Sequence, residues 1–307
     1  MTKQSPTLFP YTALLIGLIS IAFSGIFISS AGAPGTVTAF YRMFIAAAVV
    51  ALPFFWQNRS VMKSLSRQGV LLAVLGGVLF AVDLAFWSTG IDYSGATRPT
   101  LMANTAPLWV GLGSLILFHE RQSAAFWVGL LIAIFGAALV LGADLAEATE
   151  VGLGTFLGLL AAIFYGAYYL VTQRGRGWLN TLAYFWITTF SSAVVLFLLN
   201  MILGRSLGGY DRTTWLYFLA VGIIVQLLGW FSINYAQGYI PASLVAPTLL
   251  LQPVITAVLA VLILGESFSP WNIIGGLIVL VGVFVVHRSR PSLGKNNEIQ
   301  LEEEQLL

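Results

Sequence analysis

Apolar residues dominate the chain in long runs, and short clusters of polar residues and turn formers separate them. The runs at 11–30, 35–56, 69–90, 97–118, 124–142, 152–172, 179–199, 213–235, 242–264 and 270–287 predict ten helices. Each reaches or approaches the roughly 20 residues that a helix needs to cross a hydrocarbon core about 30 Å thick. The punctuation between them includes Pro34-Gly35, His119 to Ser123, Arg174 to Trp178 and Gly204 to Arg212. Ala31-Gly32-Ala33, after the first run, resembles a signal-peptidase site. That run is nevertheless longer than the roughly 7 to 15 apolar residues of a secretory signal and has only Lys3 before it, so it reads as a retained helix.

Composition agrees with a lipid solvent. Of 307 residues, 58% are hydrophobic and 8% charged, against about a quarter charged in soluble domains. Cysteine is absent, which excludes disulfides and thiolate metal sites. The two histidines, His119 and His287, fall at helix ends, so neither a zinc cluster nor a membrane-buried Ser-His dyad is expected. A formal net charge of +2 gives no reason to expect nucleic acid. No Gly-Lys-Ser/Thr sequence offers a cradle for ATP phosphates, and no cofactor or metal is expected.

Threading the helices alternately from an inner N-terminus puts ten of the fourteen Lys and Arg residues on the inner side and three, Arg98, Arg205 and Arg212, outside. The remaining cation, Arg42, is within a helix, and Asp144, Glu147 and Glu150 share an outer loop. The positive-inside rule therefore predicts a multi-pass plasma (inner) membrane protein with both termini cytoplasmic. Residues 1–10 form the cytoplasmic N-terminus, and 289–307, with Glu302-Glu303-Glu304, read as a disordered cytoplasmic tail.

A shift of 146 residues aligns the chain with itself. Pro107 meets Pro253, Glu120 meets Glu266, Ser123 meets Ser269, Gly129 meets Gly275 and Gly136 meets Gly282. Tyr93 with Tyr239 and Ala96 with Ala242 extend the match across a loop. The expected fold is thus an all-α polytopic membrane protein of ten transmembrane helices, built as two five-helix repeats at 11–142 and 152–288. Five is odd, so the second repeat enters the membrane inverted, an arrangement that suits alternating access around a midplane site.

The segments PLWVGLGSLILFHERQSAAFWVGLLIAIFGAALVL and PVITAVLAVLILGESFSPWNIIGGLIVLVGVFVV resemble the paired signature of the drug/metabolite transporter superfamily, EamA branch. Its features are a proline in the fourth helix, a Gly/His-Glu turn and glycines in the fifth. The resemblance covers about residues 11 to 288. It implies two inverted five-helix bundles, a central cavity lined largely by the third, fourth, eighth and ninth helices, and metabolite transport, often amino-acid export.

Two formal charges lie deep inside predicted helices, Arg42 and Asp83. Each costs roughly 2.5 to 3.5 kcal/mol at a helix centre on insertion scales, and something must offset that. Both sit about seven residues in from the outer helix ends, a depth of roughly 10 Å, where they match in level as a charge pair or a coupling element. Asn104 lies nearby in depth. The repeat mates of Asp83 and Asn104 are Gly229 and Leu250, so this polar layer belongs to one half only. It reads either as a substrate-binding or proton-linked site or as an ion-pair strut between helices.

Helical spacing puts Gly76, Phe80, Asp83, Trp87 and Gly90 on one face of the third helix, and Thr100, Asn104, Pro107, Gly111 and Ser114 on one face of the fourth. The eighth offers Gly222, Gln226 and Trp230, and the ninth Thr248, Gln252 and Thr256. Cavity wall and helix packing both account for such stripes. Tyr165, Tyr168 and Tyr169 add aromatic faces able to hold apolar groups or an ammonium, while Trp56, Trp178, Trp215 and Trp271 fall near interfaces. The substrate-binding set is accordingly Phe80, Asp83, Trp87, Asn104, Tyr165, Gln226, Trp230 and Gln252. Pro107 and Pro253 are expected hinges. Glu120 and Glu266, just before helix starts, read as structural.

The expected function is a secondary transporter, not an enzyme, moving a small amphipathic metabolite, an amino acid or relative, outward, with protons as a possible counter-ion. Carriage of a nucleotide or sugar-type metabolite is the alternative within transport, and a single deep arginine argues against several negative charges. A channel would need a repeated polar ring, and a membrane enzyme a nucleophile and base.

Overall fold

A computed structural model describes residues 8–57, 65–95, 97–142, 152–264 and 270–289, and helix dominates them throughout. Both termini, the acids of the 143–151 stretch, Glu266 and Ser269 lie outside the described residues. Ten helices follow in order. The first half holds α1 (segments Leu8–Ala22 and Ser24–Ser30), α2 (Gly35–Gln57), α3 (Arg67–Ser94), α4 (Thr97–Ala103 and Ala106–Phe118) and α5 (Ala124–Val140). The second holds α6 (Leu153–Arg176), α7 (Thr181–Ile202), α8 (Arg212–Ala220, a π-helical Val221–Trp230, and Phe231–Ala236), α9 (Ala242–Thr248, a 3-10 turn Leu249–Leu251, and Gln252–Leu264) and α10 (Pro270–Arg288). Nine are long and apolar enough to cross a membrane. The tenth, α5, has 17 residues, a length of about 26 Å.

Local chemistry sets the helix ends. Ser66, Ser123, Asn180 and Asp211 cap four N-termini, each side-chain oxygen accepting from the backbone N–H three residues on. Helix α4 ends on His119 in the left-handed conformation at φ 56°, where its repeat mate is Gly265. A left-handed residue at His119 ends the helix there.

The 146-residue shift carries the second segment of α4 onto the last segment of α9 end for end, and the start of α5 onto the start of α10. Packing obeys the same relation. Helix α3 lies against α6 as α1 lies against α8, and the pairs α2 with α7 and α5 with α10 are each made of two mates. Small residues let the last pair touch at backbone level. A Cβ built on Gly282 would lie 2.6 Å from the Gly129 carbonyl oxygen, and one on Gly136 would lie 2.7 Å from that of Gly275. With little hydrophobic drive between helices in lipid, such close approach and interhelical hydrogen bonds hold the bundle. Thr188 and Ser192 of α7 supply two of the latter, donating to the Ala73 and Gly77 carbonyls of α3 at 3.1 and 2.7 Å.

Gly282→Val forces the α5–α10 backbones apart, and the expected loss is about 1–3 kcal/mol of stability. Thermal unfolding in detergent measures it; an unchanged transition temperature would mean that the contact contributes nothing.

Candidate functional site

Three of the ten helices are interrupted at membrane depth, and a fourth is unwound to a wider turn. The interruptions are at Phe23 in α1, Asn104-Thr105 in α4 and Leu249–Leu251 in α9; the π-helical stretch of α8 is the fourth departure. Irregular backbone is tolerated at that depth only where it is buried in protein or lines a cavity. Carbonyls beside the α1 break are met from α9: Gln252 Nε2 donates to Ile21 O at 3.2 Å and to Ser24 Oγ at 3.3 Å, and Thr256 Oγ1 to Ala22 O at 2.8 Å. Pro107 and Pro253, read as hinges, each take the second position of the helical segment that follows a break partway along α4 and α9. A proline there has no N–H to offer the preceding turn, which is why the break precedes it.

The broken helices enclose two joined cavities. A vestibule of about 460 Å³ extends from Asp92 and Thr97, at the end read as outer, past Ile91, Ser88 and Ala257 to a neck. Beneath the neck is a chamber of about 100 Å³ whose wall includes Arg42, Phe80, Asp83, Tyr165, Val225 and Trp230. Ser24, Trp87, Thr100, Asn104 and Gln252 line both spaces and so form the neck. Trp87 is held there by donating Nε1 to Thr100 Oγ1 at 3.1 Å.

Arg42 and Asp83 face the same chamber without bridging to one another. Arg42 Nε donates to Gln226 Oε1 at 2.8 Å, and its Cζ lies 5.6 Å from the Phe80 ring centroid. Among the described residues, the ion pair at bonding distance joins Arg205 to Asp92 at the vestibule end, at 3.0 Å. A direct Arg42–Asp83 ion pair, suggested by their matching depths, is thus not among those formed by the described residues; the guanidinium Nε is taken by the Gln226 amide instead. Nor does Asn104 complete such a pair; its Nδ2 is buried without a described partner. Below the charges, Phe80 stacks on Tyr168 at 4.5 Å between centroids and meets Trp230 at 4.7 Å, and Tyr169 donates to the Tyr165 hydroxyl at 2.7 Å.

A charged, aromatic-floored cavity at the centre of two related five-helix halves invites comparison with known proteins. The sequence model of the EamA-like transporter family matches the chain twice, over residues 8–142 and 152–288. The chain belongs to this family. Relatives that match nearly all of it include the uncharacterized transporter YdfC of Bacillus subtilis, 22% identical over 92% of this chain and 92% of its own. The pseudopaline exporter CntI of Pseudomonas aeruginosa PAO1 is 26% identical over 90% of this chain and 96% of its own. A solved crystal structure matches with a TM-score of 0.76 over 91% of this chain and 95% of that one; at 20% identity it shows the fold alone.

In this EamA-like transporter the predicted stripes divide by depth. Phe80, Asp83 and Trp87 of α3 reach the cavities, whereas Gly76 packs under Tyr184 and Gly90 against Gly154 and Pro99. Thr100 and Asn104 line the neck, while Gly111 meets Phe126 and Trp127. Trp230 and Gln252 are in the wall, whereas the predicted Gln226 does not line it and is instead buried with its amide oxygen on Arg42 Nε; Gly222 packs on Ile45, and Thr248 Oγ1 meets His287 Nε2 at 2.8 Å. Tyr165 is in the wall too, with Tyr168 and Tyr169 buried behind it. Sequence reasoning missed Ser24 and the carbonyls at the α1 break, since nothing in an apolar run marks a break that a distant helix stabilises. It also missed the π turn of α8.

At the opposite end hydrogen bonds link neighbouring helices. Gln173 of α6 accepts from the Ala242 backbone N–H of α9 at 2.6 Å, and Ser243 donates to Glu120 at 3.4 Å. Arg176 donates to Asn234 O at 2.9 Å and Thr181 Oγ1 at 2.7 Å. Burial pushes the Glu120 carboxyl above its ordinary value of 4.5, against the opposing hydrogen bonds from Ser243 and Gln173. Between that value and the raised one the folded protein binds more protons than the unfolded chain, so this contribution to stability falls as pH rises. Glu120→Gln stays neutral: its melting temperature should match the wild type near about pH 4 and exceed it near about pH 7.5. A wild-type advantage at the higher pH would show that the hydrogen bonds outweigh burial.

Proposed function

We propose that this membrane transporter exports a small zwitterionic metabolite, an amino acid or close relative, by alternating access. The observation that carries the reading is that Arg42 and Asp83 line one buried chamber without bridging to each other. Each charge is costly at that depth, and a cargo bearing both a carboxylate and an ammonium offsets both at once. Phe80, Tyr165 and Trp230 offer its apolar part a face. The vestibule at one end and the hydrogen-bonded opposite end, with the orientation expected from the cations, correspond to an outward-facing shape of the cycle. Export as the direction is supported by likeness to a relative named as an exporter. Asp83 is the candidate proton carrier. One arginine suits a monoanion better than a nucleotide or sugar phosphate.

Counterflow of radiolabelled amino acids, peptides and phosphorylated metabolites in proteoliposomes tests this, because trans-acceleration requires a carrier. Amino acids should be taken up saturably, and Arg42→Gln should lower apparent affinity by about a hundredfold or more. Uptake of phosphorylated metabolites alone would overturn the reading. Asp83→Asn should remove the response of flux to a pH gradient; a variant with wild-type flux and pH response would exclude a proton role for Asp83.

A further inference from the structure

The duplication places related positions on opposite sides of one charge. Under the 146-residue shift, Phe80 of α3 corresponds to Gln226 of α8, and both converge on Arg42. The phenyl ring lies under the guanidinium, 5.6 Å from centroid to Cζ, and the amide oxygen takes Nε at 2.8 Å. All three side chains are at most 5% exposed. Phe80 is braced from behind by Tyr168, whose hydroxyl accepts from Asn234 Nδ2 at 3.1 Å. Gln226 sits within the π-helical stretch of α8, a local rewinding of the kind found at functional sites.

Two such contacts fix an arginine in different ways. A ring beneath the plane sets its height, and an acceptor on Nε sets its rotation in that plane. The edge left over carries Nη1 and Nη2. Among the described residues neither nitrogen has a protein acceptor, neither is among the buried unpartnered atoms, and Arg42 lines the chamber. Two parallel N–H groups on one edge match the two oxygens of a carboxylate. The neutrality of residue 226 is part of the device, because a glutamate there would supply the anion itself and leave no unmatched charge for a ligand.

We propose that Gln226 is a positioning residue: with Phe80 it clamps Arg42 so that the free edge reads a carboxylate on the cargo. The proposal rests on the reading of the chamber as the substrate site and adds which end of the cargo binds where. It predicts discrimination at one functional group. An amino acid should be preferred over its carboxamide, and the preference should depend on residue 226.

The experiment uses the full-length protein in proteoliposomes, with alanine, leucine and phenylalanine each paired with its carboxamide. Gln226→Leu should raise KM for the acids by about tenfold or more, as expected for a lost hydrogen bond to a charged group, while the maximal rate changes by less than about threefold. Transport of the carboxamides should be nearly unaffected. Gln226→Glu should abolish the preference for the acid by satisfying Arg42 internally, and Gln226→Asn should restore part of it. Size-exclusion profile and melting temperature establish that each variant is folded; if Gln226→Leu is not, the Glu and Asn variants carry the comparison. Equal losses on acid and amide, or a fall in maximal rate with KM unchanged, would reduce Gln226 to a structural role and overturn the proposal. A wild type that transports the acids and loses them on Arg42→Gln, but not on Gln226→Leu, would overturn the clamp alone. A wild type that moves none of the probes would overturn both readings.

Discussion

In hydrocarbon a backbone polar group has no water to fall back on, so every helix that crosses must satisfy its own N–H and C=O groups or find a partner for them inside the protein. The architecture follows from where this chain departs from that regularity. Helices α2, α3, α5, α6, α7 and α10 run without interruption, and α1, α4, α8 and α9 do not. The irregular four all line the cavities, and α3 contributes Phe80, Asp83 and Trp87, with Arg42 of α2 and Tyr165 of α6 in the chamber wall. Their exposed groups are partly answered across the bundle, as where α9 side chains cover the α1 carbonyls.

Much of the scaffold was legible in the residues because it rests on local rules. Run length gave the ten apolar helices, nine of them long enough to cross among the described residues, and Pro107 with Pro253 and the four matched glycines gave the 146-residue repeat. Caps such as Ser123 and Asn180 mark helix starts by a chemistry that needs only three following residues. The site was legible in part. Arg42, Asp83 and Asn104 announce themselves by cost, since charge and amide are scarce at that depth. Their mutual arrangement did not follow from depth, because depth along a helix says nothing about azimuth. Two groups at one level can face each other or face a shared void, and here both line the chamber while Arg42 bonds Gln226, from a helix far along the chain. The π winding of α8 was equally out of reach, for its sequence keeps the apolar character of an ordinary crossing helix.

Duplication and divergence have separate consequences in this transporter. Packing contacts are shared between the halves: α3 on α6 repeats as α1 on α8. The chamber is not shared, for the mates of Asp83 and Asn104 are Gly229 and Leu250. Helix breaks are also divided unequally, with α4 and α9 broken as a related pair, whereas α1 is broken and its mate α6 is continuous. A symmetric frame thus holds an asymmetric interior, and the frame constrains geometry while the interior carries chemistry.

The glycine crossing of α5 and α10 has a mechanical meaning. Gly129 faces Gly282 and Gly136 faces Gly275, two points of backbone contact seven residues, or roughly 10 Å, apart along each helix. Two rods pinned at two points can neither pivot about one of them nor slide along each other without a carbonyl meeting a neighbouring chain. The pair therefore behaves as a keel running along one side of the molecule, and any change of shape has to be taken up on the side where the backbone is already broken.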